Sequence, residues 1–271
     1  MNTAVIAMLL LQPMAGAPDE PLAPIGKWTV NYGTGSCVLS HDFGTVTDPI
    51  SLTFRPSPLG VDIDLTMIAA GSPAARYRKL NGKLILQPSG RSVESTIDIF
   101  GAQVDGQSKT ITKLVAMNDV ASELRTSTAI TIELQDKRRI SFAPSGLSAA
   151  FAALNTCQAS LFQAWGYDPH ERDQMITPPK RLGEPGWLLP DDYPKDAIAN
   201  REHGISIVFY KVTVAGLVTE CRTVSSSGSK SLDEATCRAV TKRARYTPAV
   251  GLDGKPMEIH QTHRAVWRLP N

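Results

Sequence analysis

Between Lys27 and about Phe142 the chain is written in short segments in which β-branched and aromatic residues alternate with polar ones. They read "WTVNY", "SCVLSHDF", "ISLTF", "VDIDLTMIA", "KLILQ", "STIDIF" and "AITIELQ", with turn residues between them. A period of two suits a strand with one buried and one wet face, and short segments at close spacing favour antiparallel pairing. An antiparallel sheet or sandwich is therefore expected. Asn81-Gly82 in "LNGKL" predicts a hairpin turn. The region closes on "GLSAAFAALNTCQASLFQAWG", a helix that Ser145 is expected to cap. Leu147, Phe151, Leu154, Leu161 and Trp165 recur on one stripe of it, and Cys157 shares that stripe.

A length of 271 residues suits two modest domains, and 42% hydrophobic with 20% charged residues suffices for packed cores. A net charge of +2, with no Lys/Arg cluster among aromatic residues, argues against nucleic acid as partner. "AVIAMLLLQPMAGA" is an apolar run too short to span a bilayer and ends in small residues, Ala15-Gly16-Ala17. It reads as a signal peptide over residues 1–17, with the mature chain starting at Pro18 in the periplasm. If the segment is retained, inner-membrane association is the alternative. Export makes the four cysteines candidates for disulfides. Three pairings exist, and the early–late division favours Cys37–Cys157 and Cys221–Cys237. The first would close a long loop and stabilise by about 4–5 kcal/mol.

Residues 18–168 thus read as a β-rich domain of unassigned role, and the Pro- and charge-rich residues 169–186 as a linker. The remainder, 187–271, changes grammar. "YPKDAIANREHG" predicts a short helix after Pro194 that ends at Gly204. "ISIVFYKVTV" and "LVTECRTV" form a hairpin turning at Ala215-Gly216. "SLDEA" opens a second helix with Ser231 and Glu234 as a capping box, and Leu232, Ala235, Ala239 and Val240 as its buried face. "PMEIHQTHRAVWRL" is the last strand. The fold class is α+β: a β-rich region closed by a helix, then a small helix–hairpin–helix–strand unit. Alternation from Val218 to Val224 sets Cys221 on the wrong face for Cys237, so a bulge near Thr219 or Glu220 is expected.

In order and spacing, Tyr193-Pro194, Gly204, Gly216, "SSSGSKSLDEA" and "RYTPAVGLDGKP" resemble the C-terminal domain of TonB, the bacterial energy transducer, over about residues 187–271. The resemblance implies a domain that adds an extended segment of an outer-membrane TonB-dependent transporter, or of another envelope protein, as a strand at its sheet edge. Backbone hydrogen bonds supply grip, and alternate side chains supply selectivity. The edge is expected along Glu258–Trp267, with Glu258, His260, Thr262, Arg264 and Val266 on its outward set and Tyr193 nearby. Transducers also use a membrane anchor and a long Pro-rich spacer. A globular β region stands in that place here, so binding is the better-supported role than force transmission. The alternative is an envelope assembly protein that uses the same edge to form a homodimer.

Enzyme chemistry finds little support. His260 and His263 stand three apart on a strand and point to opposite faces, so they do not share a metal. Asp62 and Asp64 share a strand face, where solvated carboxylates are commoner than an acid–base pair. No G-x-S-x-G elbow backs His41-Asp42, and no C-x-x-C spacing suggests zinc. "NYGTGSC" lacks the Lys of a phosphate loop. Trp165, Trp187 and Trp267 read as packing residues. The expectation is a binding module without cofactor or metal.

Overall fold

The computed structural model describes residues 20–269 apart from 61, 73–75, 118–119 and 184–185. The expected signal segment, 1–17, and the start at Pro18 lie outside the described residues. Nine strands form here, β1 (Pro24–Tyr32), β2 (Cys37–Thr45), β3 (Asp48–Pro56), β4 (Asp62–Ala70), β5 (Arg78–Gln87), β6 (Arg91–Val104), β7 (Gln107–Met117), β8 (Ala129–Leu134) and β9 (Arg139–Phe142); the seven alternating segments fall in β1 to β6 and β8, and β7 and β9 lie outside them. All lie in one antiparallel sheet ordered β1-β2-β3-β4-β7-β6-β5-β8-β9. Its two ends meet through Leu22, whose N–H donates to the Ser141 carbonyl at 2.7 Å and whose carbonyl accepts from the Ala143 N–H at 3.0 Å. The sheet therefore curls on itself instead of forming two layers.

Alternation fills the inside of that curl with Leu39, Phe43, Leu52, Phe54, Leu65, Leu84, Ile97 and Ile130, all essentially inaccessible to solvent. Helix α1 (Ala121–Thr126) and helix α2 (Leu147–Ala164) belong to the same region. The expected stripe of α2 is buried, and Cys157 on it bonds to Cys37 at the start of β2. The sheet's outer face carries Thr53, Arg55, Thr66, Asp98 and Lys113, one residue out of phase with the core.

Two local expectations fail in this region. Asn81-Gly82 is no turn: Gly82 sits within β5, paired with Ser95 and Leu134. A Cβ at Gly82 would stand 2.3 Å from the Ile97 side chain and 2.5 Å from the Glu133 carbonyl, so close strand approach explains this glycine. The Asx-Gly turn is Asp105-Gly106 between β6 and β7, where both residues have positive φ. Ser145 does not cap α2. Gly146, at φ 66°, takes that place, and the Ser145 carbonyl accepts the Trp28 indole N–H at 2.7 Å.

Beyond α2 come α3 (His170–Asp173), β10 (Met175–Thr177), β11 (Lys180–Arg181) and α4 (Lys195–Ala199), then β12 (Gly204–Val212) and β13 (Val218–Ser225). α5 (Lys230–Arg243), β14 (Tyr246–Thr247), β15 (Ala249–Gly251), β16 (Pro256–Met257) and β17 (Ile259–Trp267) complete the chain. The stretch read as a linker is not free of structure. Met175 pairs with Gly251, and Lys180 and Arg181 pair with Thr247 and Tyr246. Helix α4 ends at Ala199 and not at Gly204, because Arg201 adopts a left-handed φ of 56°. The second helix starts earlier than expected. Ser229, with extended backbone, is the N-cap and accepts the Leu232 N–H, while Asp233 accepts the Ser227 N–H at 2.9 Å. Ser231 and Glu234 therefore form no capping box.

The last sheet runs β13-β12-β17. Phe209 faces Arg222 and Lys211 faces Thr219, so β13 spends one residue more than β12 across this interval. Glu220 takes a φ of 54° at that bulge. Cys221 thereby turns to α5 and bonds Cys237, with Cα atoms 5.6 Å apart. One face of this sheet, with Val208, Tyr210, Val218, Ile259, Ala265 and Trp267, packs beneath α5 and the segments around it. The other face meets the first region. Phe209 joins the cluster of Trp165 and Tyr167, the Arg222 guanidinium lies over Phe209 at 4.7 Å and donates to the Trp165 carbonyl, and Ile207 closes on Gly35.

Candidate partner-binding edge

Strand β17 pairs with β12 in an unbroken register from Gly204↔Trp267 to Val212↔Ile259, and among the described residues no strand lies on its other side. The direction of its free hydrogen-bonding groups follows from one contact. The His260 backbone N–H donates to Glu171 Oε1 at 3.0 Å, away from β12. N–H groups alternate along a strand, so those of Thr262, Arg264 and Val266 also point outward, while those of Gln261, His263 and Ala265 enter the ladder with β12. Among the described residues, no acceptor takes the outward N–H of Thr262, Arg264 or Val266. Glu258 precedes the strand and stands 3.9 Å from Lys211.

The first half of this edge is covered. Besides its backbone contact, Glu171 lies 3.0 Å from His260 Nδ1, and the imidazole stacks on Phe209 at 4.7 Å between centroids. The Thr262 hydroxyl donates to the Pro58 carbonyl in the loop between β3 and β4. The second half opens onto a cleft of ≈ 780 Å³ between β17 and the outer face of the nine-stranded sheet. Arg264, Val266 and Arg268 line one wall. Arg55, Asp98 and Lys113 stand on the other. Val266 is 46% exposed and Ile205, beside it on β12, 40%. Burial, with Arg55 nearby, draws the Arg264 guanidinium below the ordinary arginine range.

The remaining candidates scatter. Tyr193 lies on the helix side of the sheet, its ring 5.2 Å from Trp267 and its hydroxyl donating to the Glu202 carbonyl. His263 faces the opposite way from His260, 5.1 Å from the Trp187 ring. Burial, and then Arg181, lowers its pKa to about 4. Asp64 binds Arg55 and, at 3.2 Å, Lys113. Burial first, then Asp64, raises the Asp62 carboxyl above its usual value. Trp165, Trp187 and Trp267 are buried. The sequence reading did not reach Glu171, Arg55, Lys113 and Arg268. Alternation alone sets Arg55 on the outer face of β3, but only the tertiary fold brings it opposite β17.

Among the described residues no helix is long and apolar enough to cross a membrane. Two disulfides suit an oxidising compartment. No curated protein matches the chain. The model of the Gram-negative bacterial TonB protein C-terminal family matches residues 190–269, the stretch that holds α4, β12, β13, α5 and β17. Residues 190–269 are therefore a TonB C-terminal domain, carried here behind a nine-stranded sheet that the family match does not reach.

Proposed function

We propose that this protein is a periplasmic binding module for TonB-dependent transport, which captures an extended segment of an outer-membrane transporter by adding it as a strand to β17. It is a binding protein and not an enzyme. The observation that carries the reading is the open half of β17, where among the described residues no acceptor takes the outward N–H groups of Arg264 and Val266 and the side chains beside them line a cleft. An extended chain there meets backbone donors at strand spacing and gains a hydrogen-bonded ladder without rearranging the sheet. Partner segments would engage Arg264–Val266 first, and reach Thr262 and His260 only by displacing Glu171.

Proline at Val266 tests this. It deletes one outward N–H, leaves the ladder to β12 intact, and changes a residue already at an edge. Alanine there removes only an exposed side chain. The measurement is titration of the full chain with a synthetic peptide of the periplasmic segment of an outer-membrane TonB-dependent transporter. Binding is expected to drop about tenfold or more for Val266→Pro and less than about twofold for Val266→Ala. Equal binding by wild type and folded Val266→Pro would contradict strand addition.

Self-association through the same edge is the competing reading. The lining weighs against it, because pairing two copies of β17 would bring Arg264 and Arg268 of each copy together, and like charges across a strand pair are destabilising.

A further inference from the structure

We infer that the nine-stranded sheet is half of the binding site: a strand added to β17 carries a carboxylate side chain that Arg264 receives from one wall of the cleft and Arg55 and Lys113 from the other. This rests on the strand addition proposed above and adds the chemistry of the occupant. The cleft is lined by four cationic side chains, Arg55, Lys113, Arg264 and Arg268, and by Asp98 alone among acids. Arg55 and Lys113 converge on a single carboxylate, that of Asp64. Asp98 accepts the Tyr77 hydroxyl at 2.7 Å. Among the described residues Arg264 is partly buried with neither an ion pair nor a hydrogen bond from its guanidinium, and the Asp64 carboxylate that attracts it is already held by Arg55 and Lys113. A half-desolvated guanidinium facing two further cations costs free energy unless an anion joins it.

Register converts this into a sequence preference. On an added strand, the residues that face the nine-stranded sheet lie opposite Thr262, Arg264, Val266 and Arg268 at every second position. A carboxylate opposite Arg264, an apolar residue opposite Val266, and a second carboxylate opposite Arg268 give acid–x–apolar–x–acid. The pattern reads the same in both directions, so it does not depend on whether the partner runs parallel or antiparallel. An extended acidic peptide is favoured over a small anion because a strand paired to the outward N–H groups of Arg264 and Val266 sets the side chain opposite Arg264 on the same face as the guanidinium. A free carboxylate would leave those N–H groups unused.

The test uses the full chain and three short synthetic peptides of alternating threonine and valine, with glutamate, glutamine or lysine at the two flanking positions. At low salt the glutamate peptide is expected to bind about ten- to a hundredfold more tightly than the glutamine peptide, with the lysine peptide weakest. That preference should shrink with added salt. Arg55→Gln and Lys113→Gln should each reduce it while leaving the glutamine peptide's affinity unchanged, and Arg264→Gln should reduce it as well. Since Arg55 and Lys113 lie on the other sheet, either one carries the test if Arg264→Gln fails to fold. Equal affinity for the glutamate and glutamine peptides, with Val266→Pro still abolishing both, would overturn the acidic clamp and leave strand addition standing. A glutamate preference that survives Val266→Pro, or free glutarate competing as well as the peptide, would overturn both and make the cleft a simple anion pocket.

Discussion

His263 shows how one side chain ties this domain to pH. Its ring lies against Trp187, and burial holds its pKa at about 4 against an ordinary 6.5. The native fold binds the neutral ring, whereas the unfolded chain takes up a proton as pH falls through 6.5. Stability from this residue is therefore complete above about 6.5, declines toward pH 4, and the loss over that window is on the order of 3 kcal/mol. Urea unfolding at pH 7 and pH 4.5 should show a steep loss in wild type and a shallower one in His263→Phe. Equal losses would contradict a buried neutral imidazole. Gly82 yields a second expectation. Gly82→Ala drives a Cβ into the Glu133 carbonyl, a backbone atom that no rotamer change can move, so destabilisation of about 1–3 kcal/mol is expected in chemical unfolding. The Asn81-Gly82 pair also marks a limit of reading from sequence. A glycine that permits a turn and a glycine that permits close strands carry the same letter, and the choice lies with β6 and β8, which sit far along the chain.

Elements were legible where a period repeats and less so at their ends. The alternating segments of β1 to β6 and β8, the stripe of α2, and the helix–hairpin–helix–strand order all follow from local pattern. Strand β7 does not stand out in the sequence, since "QSKTITKLVAM" mixes lysines into its outer face and reads as polar, and the four residues of β9 are too few to show a period. The start of α5 is ambiguous in the sequence for a related reason. Ser229 and Ser231 both satisfy a capping pattern, and Ser229 is the one that accepts the Leu232 N–H while its hydroxyl is held by Glu202, a contact that sequence does not display. Ser229→Ala is accordingly expected to cost about 1 kcal/mol and Ser231→Ala a few tenths, both read from thermal or chemical unfolding. The bulge in β13 was inferable because Cys221 had to face Cys237. Ordinary strand alternation forbids this, and one extra residue allows it.

On the scale of the whole molecule, the two regions are not beads on a linker. Met175, Thr177, Lys180 and Arg181 pair with C-terminal strands, Arg222 reaches the Trp165 carbonyl, and Phe209 sits in the cluster of α2. That packing is what brings Arg55 and Lys113 within reach of Arg264. It also covers the first half of β17 with Glu171 and Pro58 while leaving the second half open. Sequence could mark β17 as an edge strand but not which half stays free, since Glu171 and His260 are 89 positions apart. If a partner strand adds to this free half, its outward amides must become protected on binding. Residue-resolved amide hydrogen exchange of the full chain, alone and with a saturating transporter-segment peptide, addresses it most directly. The amides of His263 and Ala265 should be protected in both states, and those of Arg264 and Val266 should exchange fast alone and slow markedly with peptide. Fast exchange at Arg264 and Val266 in the saturated complex would contradict it.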